Sequence, residues 1–388
     1  MTRATPTTVR PTDLAALRAA VLDSAGPLAV AGAGTAAAWA GDLQHVDTVV
    51  DVSGLSGIVV HNPGDMTVAV KAGTPLRDLA AELAGHGQQV SFDAARVARG
   101  ATVGGLVATA DAGPGALVHG TLRDLVIGMT IVLADGTVAR TGGHVIKNVS
   151  GYDLAKLVHG SYGTLAIVAE VVLRLHPVPA ASATVVLDCP LDEAVAHAAR
   201  VLARPLEPAA LEWCSAGSGP ATSDGRLLAR IEGTAAALPA RVERLVDTLG
   251  PGAAEADAGE WEAHASTVRG RPGQAVLRIG ARPSRIGGIV GALPGADGPG
   301  AGVTVGLGTG VATVALPADA DAVESAHLAV HAAGGTSVLR DRPAGFGGPA
   351  WGPPPSAIAM LRSVKRAFDP DGRLGPGRFA PWPLENSR

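Results

Sequence analysis

Two cysteines, Cys189 and Cys214, are all that a chain of 388 residues holds. They build no disulfide framework and no Cys-x-x-Cys site, so a reducing cytoplasm is the expected setting. They are also too few for the chain to carry its own four-cysteine iron–sulfur cluster. Aromatic residues are scarce at 3%, and four Phe and two Tyr give no stacking platform for single-stranded nucleic acid. Charged residues reach 17% with a formal net charge of -4, which excludes a general attraction to nucleic acid or an anionic membrane. Lysine occurs only at Lys71, Lys147, Lys156 and Lys365, leaving arginine as the main cation. The amino-terminal stretch lacks the apolar run of a signal peptide. Residues 24–41 are uncharged but largely Ala and Gly, which bury too little area for a membrane span. No transmembrane span is expected, and any membrane association would run through a partner.

Glycine (52) and proline (28) are abundant, without the G-X-Y period of collagen. Hydrophobic residues make up 47%, and apolar stretches alternate with turn signals, so a folded protein of two domains is expected. The first 177 residues read as short α/β units. Leu14, Leu17, Val21 and Leu22 predict a helix over 11–26, capped by Thr12 or Asp13. A small strand over 27–35 runs into a glycine turn, strands follow over 46–74, and 75–90 predicts a helix with proline in its first turn. Ile127 to Leu133 is strand-like, Ala134-Asp135-Gly136-Thr137 resembles a hairpin turn, and 165–179 predicts a strand with one wet face. After His176-Pro177-Val178-Pro179 the order becomes strand, helix, strand, helix, then strands again. That order predicts an α+β second domain with an antiparallel sheet. A Pro/Gly-rich passage (341–355) then leads to a last helix over 356–370.

Four glycine sites carry the candidate chemistry. Ala31-Gly32-Ala33-Gly34-Thr35 follows an apolar strand, where consecutive N–H groups can form an anion nest or simply a tight turn. It lacks the third glycine and the distant acid of a Rossmann fingerprint. Gly100, Thr102, Gly104 and Gly105 suit a diphosphate or a flat ring. In the His119-Gly120-Thr121-Leu122-Arg123-Asp124 stretch, Arg123 pairs with Asp124 or sits near an anion. The fourth site is GGHVIKNVSGYDLAKLVHGSYGTLAIV (142–168), where Ser161 and Thr164 are candidate hydrogen-bond donors. Lys147 and Asn148 there either stabilise the loop or reach cofactor oxygens. Glycines at these places remove side chains where turns meet, a geometry that admits an extended cofactor.

Taken in order, AVAGAGT, DVSGLSGIV, MTVAVKAGTPLRDL, GATVGGLVAT, the run from His119 to Pro177 and the tail FDPDGRLGPGRF resemble the flavin-binding domain of the vanillyl-alcohol-oxidase type. That domain is also called the p-cresol methylhydroxylase (PCMH) type. Within the family the chain is most similar to the FAD-binding E subunits of bacterial glycolate oxidases. The resemblance implies an α+β fold: a two-lobed FAD domain (1–177), a cap for substrate or partner (178–340), and a segment (341–388) packing back on the FAD domain. It implies noncovalent FAD, since no histidine occurs in the AGAGT loop. The diphosphate would lie on Ala31, Gly32, Ala33, Gly34 and Thr35, and the cofactor path along Gly100, Thr102, Gly104, Gly105 and His119. Ser161, Gly163, Thr164 and Ile167 would complete it. The resemblance further implies oxidation of glycolate or a related 2-hydroxy acid, with a second flavoprotein and an iron–sulfur subunit as partners.

No catalytic base can be assigned. The late cap strand VTVGLGTGVATVAL has neither the histidine nor the acid of the substrate-oxidising relatives. His327 and His331, at i,i+4, could face together, but no adjacent acidic or cysteine cluster supports a metal site. Arg278, Arg282 and Arg340 are candidates for a carboxylate, with a solvent-facing position expected for each. Gly375-Pro376-Gly377 replaces the family's Asn-Pro-Gly. A stand-alone FAD-dependent alcohol or hydroxy-acid dehydrogenase and a non-catalytic flavin-binding assembly subunit stay open.

Overall fold

The computed structural model describes residues 5–145, 151–215, 221–257, 259–298 and 300–382. The chain divides into two compact units. The first takes in the chain up to Ala112, His119–Val178 and the segment from Pro354 onward; the second takes in Gly113–Val118 and Pro179–Pro353.

The first unit begins with β1 (Thr7–Val9), α1 (Leu14–Asp23), β2 (Leu28–Ala31) and β3 (Thr48–Asp51). Asp13 caps α1 by accepting from the Ala16 N–H, as its sequence predicts, and Leu17, Ala20 and Val21 are the buried face. The strands form a parallel sheet in the order β1-β3-β2. Next come β4 (Ile58–Asn62), β5 (Thr67–Lys71), α2 (Leu76–Ala84), β6 (Gln88–Gln89) and α3 (Val103–Ala108). Helix α2 buries Leu76, Leu79 and Leu83 but stops at Gly85 instead of running to residue 90. Gly87 at φ +66° turns the chain into β6 there.

After α4 (Ala116–His119) and α5 (Leu122–Leu125) come β7 (Val126–Val132), β8 (Val138–Gly142), α6 (Leu154–Val158), β9 (Ile167–Arg174) and β10 (His176–Pro177). The second sheet is antiparallel, in the order β4-β5-β9-β7-β8, while β6 pairs with β10. The predicted wet face of β9 is reduced to half-buried Glu170 and exposed Arg174. Ile167 and Ala169 pack with Leu17, Leu28 and Val50, while Val168, Val171 and Leu173 pack with Val70, Leu79 and Leu106. A central strand covered on both sides over most of its length keeps little solvent face.

The second unit is one eight-stranded antiparallel sheet. Its elements are β11 (Ala181–Asp188), α7 (Leu191–Leu202), β12 (Ala210–Ser215), β13 (Gly225–Gly233), α8 (Leu238–Leu249), β14 (Ala254–Ala256), α9 (Gly259–Arg269) and β15 (Gln274–Gly280). They continue with α10 (Pro283–Gly291), β16 (Gly302–Gly306), β17 (Val311–Pro317), α11 (Ala320–Ala332) and β18 (Thr336–Leu339). Leu211, Trp213, Leu227, Ala229, Val303, Val305, Leu277 and Val314 alternate onto one face and share a core with α7, α8, α10 and α11. The intervening positions, including Glu212 and Cys214, meet α9 on the other face. The last helix, α12 (Ile358–Phe368), belongs to the first unit.

Candidate functional site

Strand β2 delivers Ala31 to the Gly32-Ala33-Gly34-Thr35 turn. A Cβ on Gly32 would lie 2.6 Å from the Thr102 hydroxyl, so only glycine lets the two glycine loops meet. Thr102 in turn caps α3, accepting from the Gly105 N–H at 3.2 Å. Gly104 donates to the Ala72 carbonyl at 2.7 Å, and a Cβ there would sit 2.8 Å from that of Ala72. Gly34 has φ +72°, a conformation that costs glycine little.

These contacts leave an open cleft of about 1040 Å³ within the first unit. Of the residues singled out from sequence, Ala31, Gly32, Ala33, Gly34, Thr35, Thr102, Gly104, Gly105 and Gly163 line it. Among the described residues, no hydrogen bond takes up the backbone N–H groups of Ala33, Gly34, Thr35 or Ala36. Open N–H groups on a glycine turn are what an anionic group needs.

The other five lie elsewhere. Gly100 ends the Val97–Arg99 turn at φ +82°, facing the Arg77 guanidinium. His119 lies against His176, the rings tilted 44° with centroids 4.6 Å apart. Ser161 and Thr164 line a second hollow of about 710 Å³ beside Leu361 and Lys365, and the Thr164 hydroxyl donates to the Ser161 carbonyl at 2.7 Å. Ile167 is fully buried in the core. Strand and turn periodicity cannot say which side of a five-residue turn faces a cleft. Here Tyr162 and Gly163 face it, and Ser161 and Thr164 do not.

Sequence reasoning missed Arg96, Thr109 and Arg378 on the cleft wall. Arg96 is buried and makes an ion pair with Asp111 at 3.0 Å, both side chains 3% exposed. Its remaining nitrogens donate to the Thr35 hydroxyl at 3.2 Å and the Thr109 hydroxyl at 2.8 Å, and the guanidinium lies 3.8 Å from the Trp39 ring centroid. Nothing in SFDAARVARG marks Arg96, because its partners come from other segments.

Arg378 donates to the carbonyls of Ala37, Trp39 and Gly41, each at 3.1 Å. Gly41 donates back to the Arg378 carbonyl, and Gln44 donates to that of Pro376. The Gly-Pro-Gly turn thus holds the chain that follows the diphosphate-loop candidate. Behind it, the buried Lys365 ammonium donates to Asp369 at 2.6 Å, to the Thr164 carbonyl and to the Leu374 carbonyl.

Lys147 and Asn148 lie outside the described residues. In the second unit His327 is buried, meeting the Ser337 hydroxyl at 2.6 Å and the Pro349 carbonyl at 3.2 Å, while His331 is exposed on the same helix. Burial pushes the His327 pKa down. Arg282 is exposed and Arg278 half-buried, but Arg340 is 3% exposed, contrary to the solvent-facing position expected. That residue follows β18 and enters the sheet's hydrogen-bonding, its N–H donating to the Val276 carbonyl. An unforeseen buried pair, Glu212 and His264, joins β12 to α9 at 3.2 Å. Among the described residues no cluster of three or more His, Cys, Asp or Glu could hold a metal ion, and no helix is long and apolar enough to cross a membrane.

A family profile described as "FAD binding domain" matches residues 6–152, the segment that supplies both glycine loops. The chain carries an FAD-binding domain. That domain is α+β and of the PCMH type, and the cradle fits the cofactor: small residues where loops meet, and open N–H groups for a diphosphate. The chain is 37% identical over 157 residues to the glycolate oxidase subunit GlcE of Escherichia coli, covering 40% of this chain and 45% of that protein. It is 39% identical over 142 residues to a D-lactate dehydrogenase of Archaeoglobus fulgidus, covering 37% and 32%. The matches thus span under half the length of these curated relatives. Across the whole chain, a solved alkyldihydroxyacetonephosphate synthase superposes with a TM-score of 0.68 at 15% identity, covering 95% of this chain and 75% of that one. That likeness is one of fold, and it takes in residues of the second unit as well as the first. The chain is related to FAD-linked oxidoreductases of the glycolate and D-lactate class.

Proposed function

We propose that this chain is the noncovalent FAD-binding subunit of a complex that oxidises glycolate or a related small 2-hydroxy acid to the 2-oxo acid. A second flavoprotein and an iron–sulfur subunit are its partners, and the cytoplasm, with membrane attachment through a partner, is its setting. The observation that carries the reading is the cleft between the two glycine loops, in a chain 37% identical over 157 residues to a glycolate oxidase subunit.

In this reading the AGAGT loop and the residues Thr102, Gly104 and Gly105 hold the cofactor's diphosphate and its neighbouring groups. FAD, when bound, supplies a two-electron acceptor for the substrate's α-carbon hydrogen. The protein supplies backbone donors and a shaped apolar wall (Ala29, Val30 and Val168) that keeps water from the cofactor. Gly100, His119, Ser161, Thr164 and Ile167 act, if at all, through the elements they support.

A second reading, a flavin-binding assembly subunit without turnover of its own, is favoured by the second unit. Strand β16 and the turn after it hold no histidine or acid, and His327 is committed to Ser337 and Pro349. Flavin bleaching by a panel of 2-hydroxy acids separates the two. Bleaching on adding partner subunits supports the redox role, bleaching by the chain alone supports an autonomous dehydrogenase, and bound flavin that stays oxidised throughout supports assembly. Folded protein that retains no FAD would overturn all three.

A further inference from the structure

We propose that Arg96 is the positioning residue of the diphosphate loop. The inference rests on the assignment of FAD to the cleft. Arg96 touches three segments at once: the loop through Thr35, the end of α3 through Thr109, and the stretch after α3 through Asp111. Its flat face lies over Trp39, in the chain that follows the loop. A planar fork with several fixed donors can satisfy all of these together; an ammonium on a flexible stem cannot.

Arg96 does not act mainly by charge, because Asp111 balances it at 3.0 Å. Its effect is on shape. The N–H groups at the start of α3 are already taken: Val103 donates to Thr74, Gly104 to Ala72 and Gly105 to Thr102. The open N–H groups belong to Ala33–Ala36, on a turn whose glycines leave its backbone free to adopt other conformations. The Thr35 hydroxyl is the handle by which Arg96 holds that backbone, and a turn already held in place binds an anion without paying again to order it.

The test uses the full chain stripped of flavin, with FAD, ADP and riboflavin as probes. Thr35→Val removes the hydroxyl but keeps the Arg96–Asp111 pair, and Arg96→Lys keeps the charge but loses the fork. Both should weaken FAD and ADP binding by about 10- to 100-fold while changing riboflavin binding by less than about threefold. Flavin-free Thr35→Val should stay folded, with a single cooperative melting transition. If Arg96→Lys does not fold, Thr35→Val alone decides. Variants that bind FAD and ADP as tightly as the parent, or that lose riboflavin equally, overturn the role of Arg96. A parent chain that binds neither FAD nor ADP overturns the underlying cofactor reading instead.

Discussion

The two units are ordered by different means. In the second, alternate residues of an eight-stranded sheet share one continuous apolar core with four helices, and most of the order comes from buried area. In the first, the core is split into two clusters by β9, and the loops that form the cleft are held by buried charges: Arg96 with Asp111, and Lys365 with Asp369. The contrast teaches where a binding cleft gets its precision. Glycine loops cannot hold themselves by packing, so polar side chains with several bonds each hold them instead.

The largest expected effect breaks one of those braces. Lys365→Met leaves Asp369 buried without its counter-charge and should cost about 3–5 kcal/mol of stability in chemical denaturation. A cost below about 1 kcal/mol would erase the contrast, since a buried pair of little value braces nothing. Leu277→Ala, in the second unit's core, should cost about 2–5 kcal/mol. Its affinity for FAD, read by flavin titration, should equal the parent's, and a matching loss of affinity would show that the two units do not divide the work as described.

Gly32→Ala sharpens the comparison at a single atom. The new Cβ would lie 2.6 Å from the Thr102 hydroxyl, so the loops must part. About 1–3 kcal/mol of destabilisation is expected, with weaker FAD binding measured on the same preparation. A pH titration probes the second unit. The His327 pKa is lowered by burial, so the unfolded chain takes up the proton first as pH falls. Its contribution is therefore fully present above the ordinary histidine value near 6.5 and is lost as pH drops below it toward the folded value. His327→Gln should flatten the stability-against-pH curve between about pH 7 and 5. The smallest effect is no effect. Burial raises both Cys189 and Cys214 to about 11, so a thiol reagent at pH 7.5 should label neither until the protein is unfolded.

Much of the fold is legible in local pattern. Asp13 before an apolar stripe announces α1, Asp135-Gly136 closes the β7–β8 hairpin with Gly136 at φ +80°, and Ala-Gly-Ala-Gly-Thr after an apolar strand marks the loop that lines the cleft. Elements that break the simple periods escape. Strand β12 alternates Glu212 and Cys214 with core residues and raises no expectation, and α9 buries only His264, so it has no apolar stripe to read. The end of α2 and the near-complete covering of β9 are missed because each depends on what packs there.

By itself the sequence determined the elements with a clear period and the places where side chains had to be absent, because helix caps, strand alternation and glycine freedom act over a few residues. The tertiary structure decided which side of each turn faces the cleft and which charges are buried. Lys365 meets Thr164 across 201 residues, and Arg96 reaches back 61 residues to Thr35. Whether such a charge is a brace or a solvated side chain depends on partners brought together only by folding, and on the water they exclude.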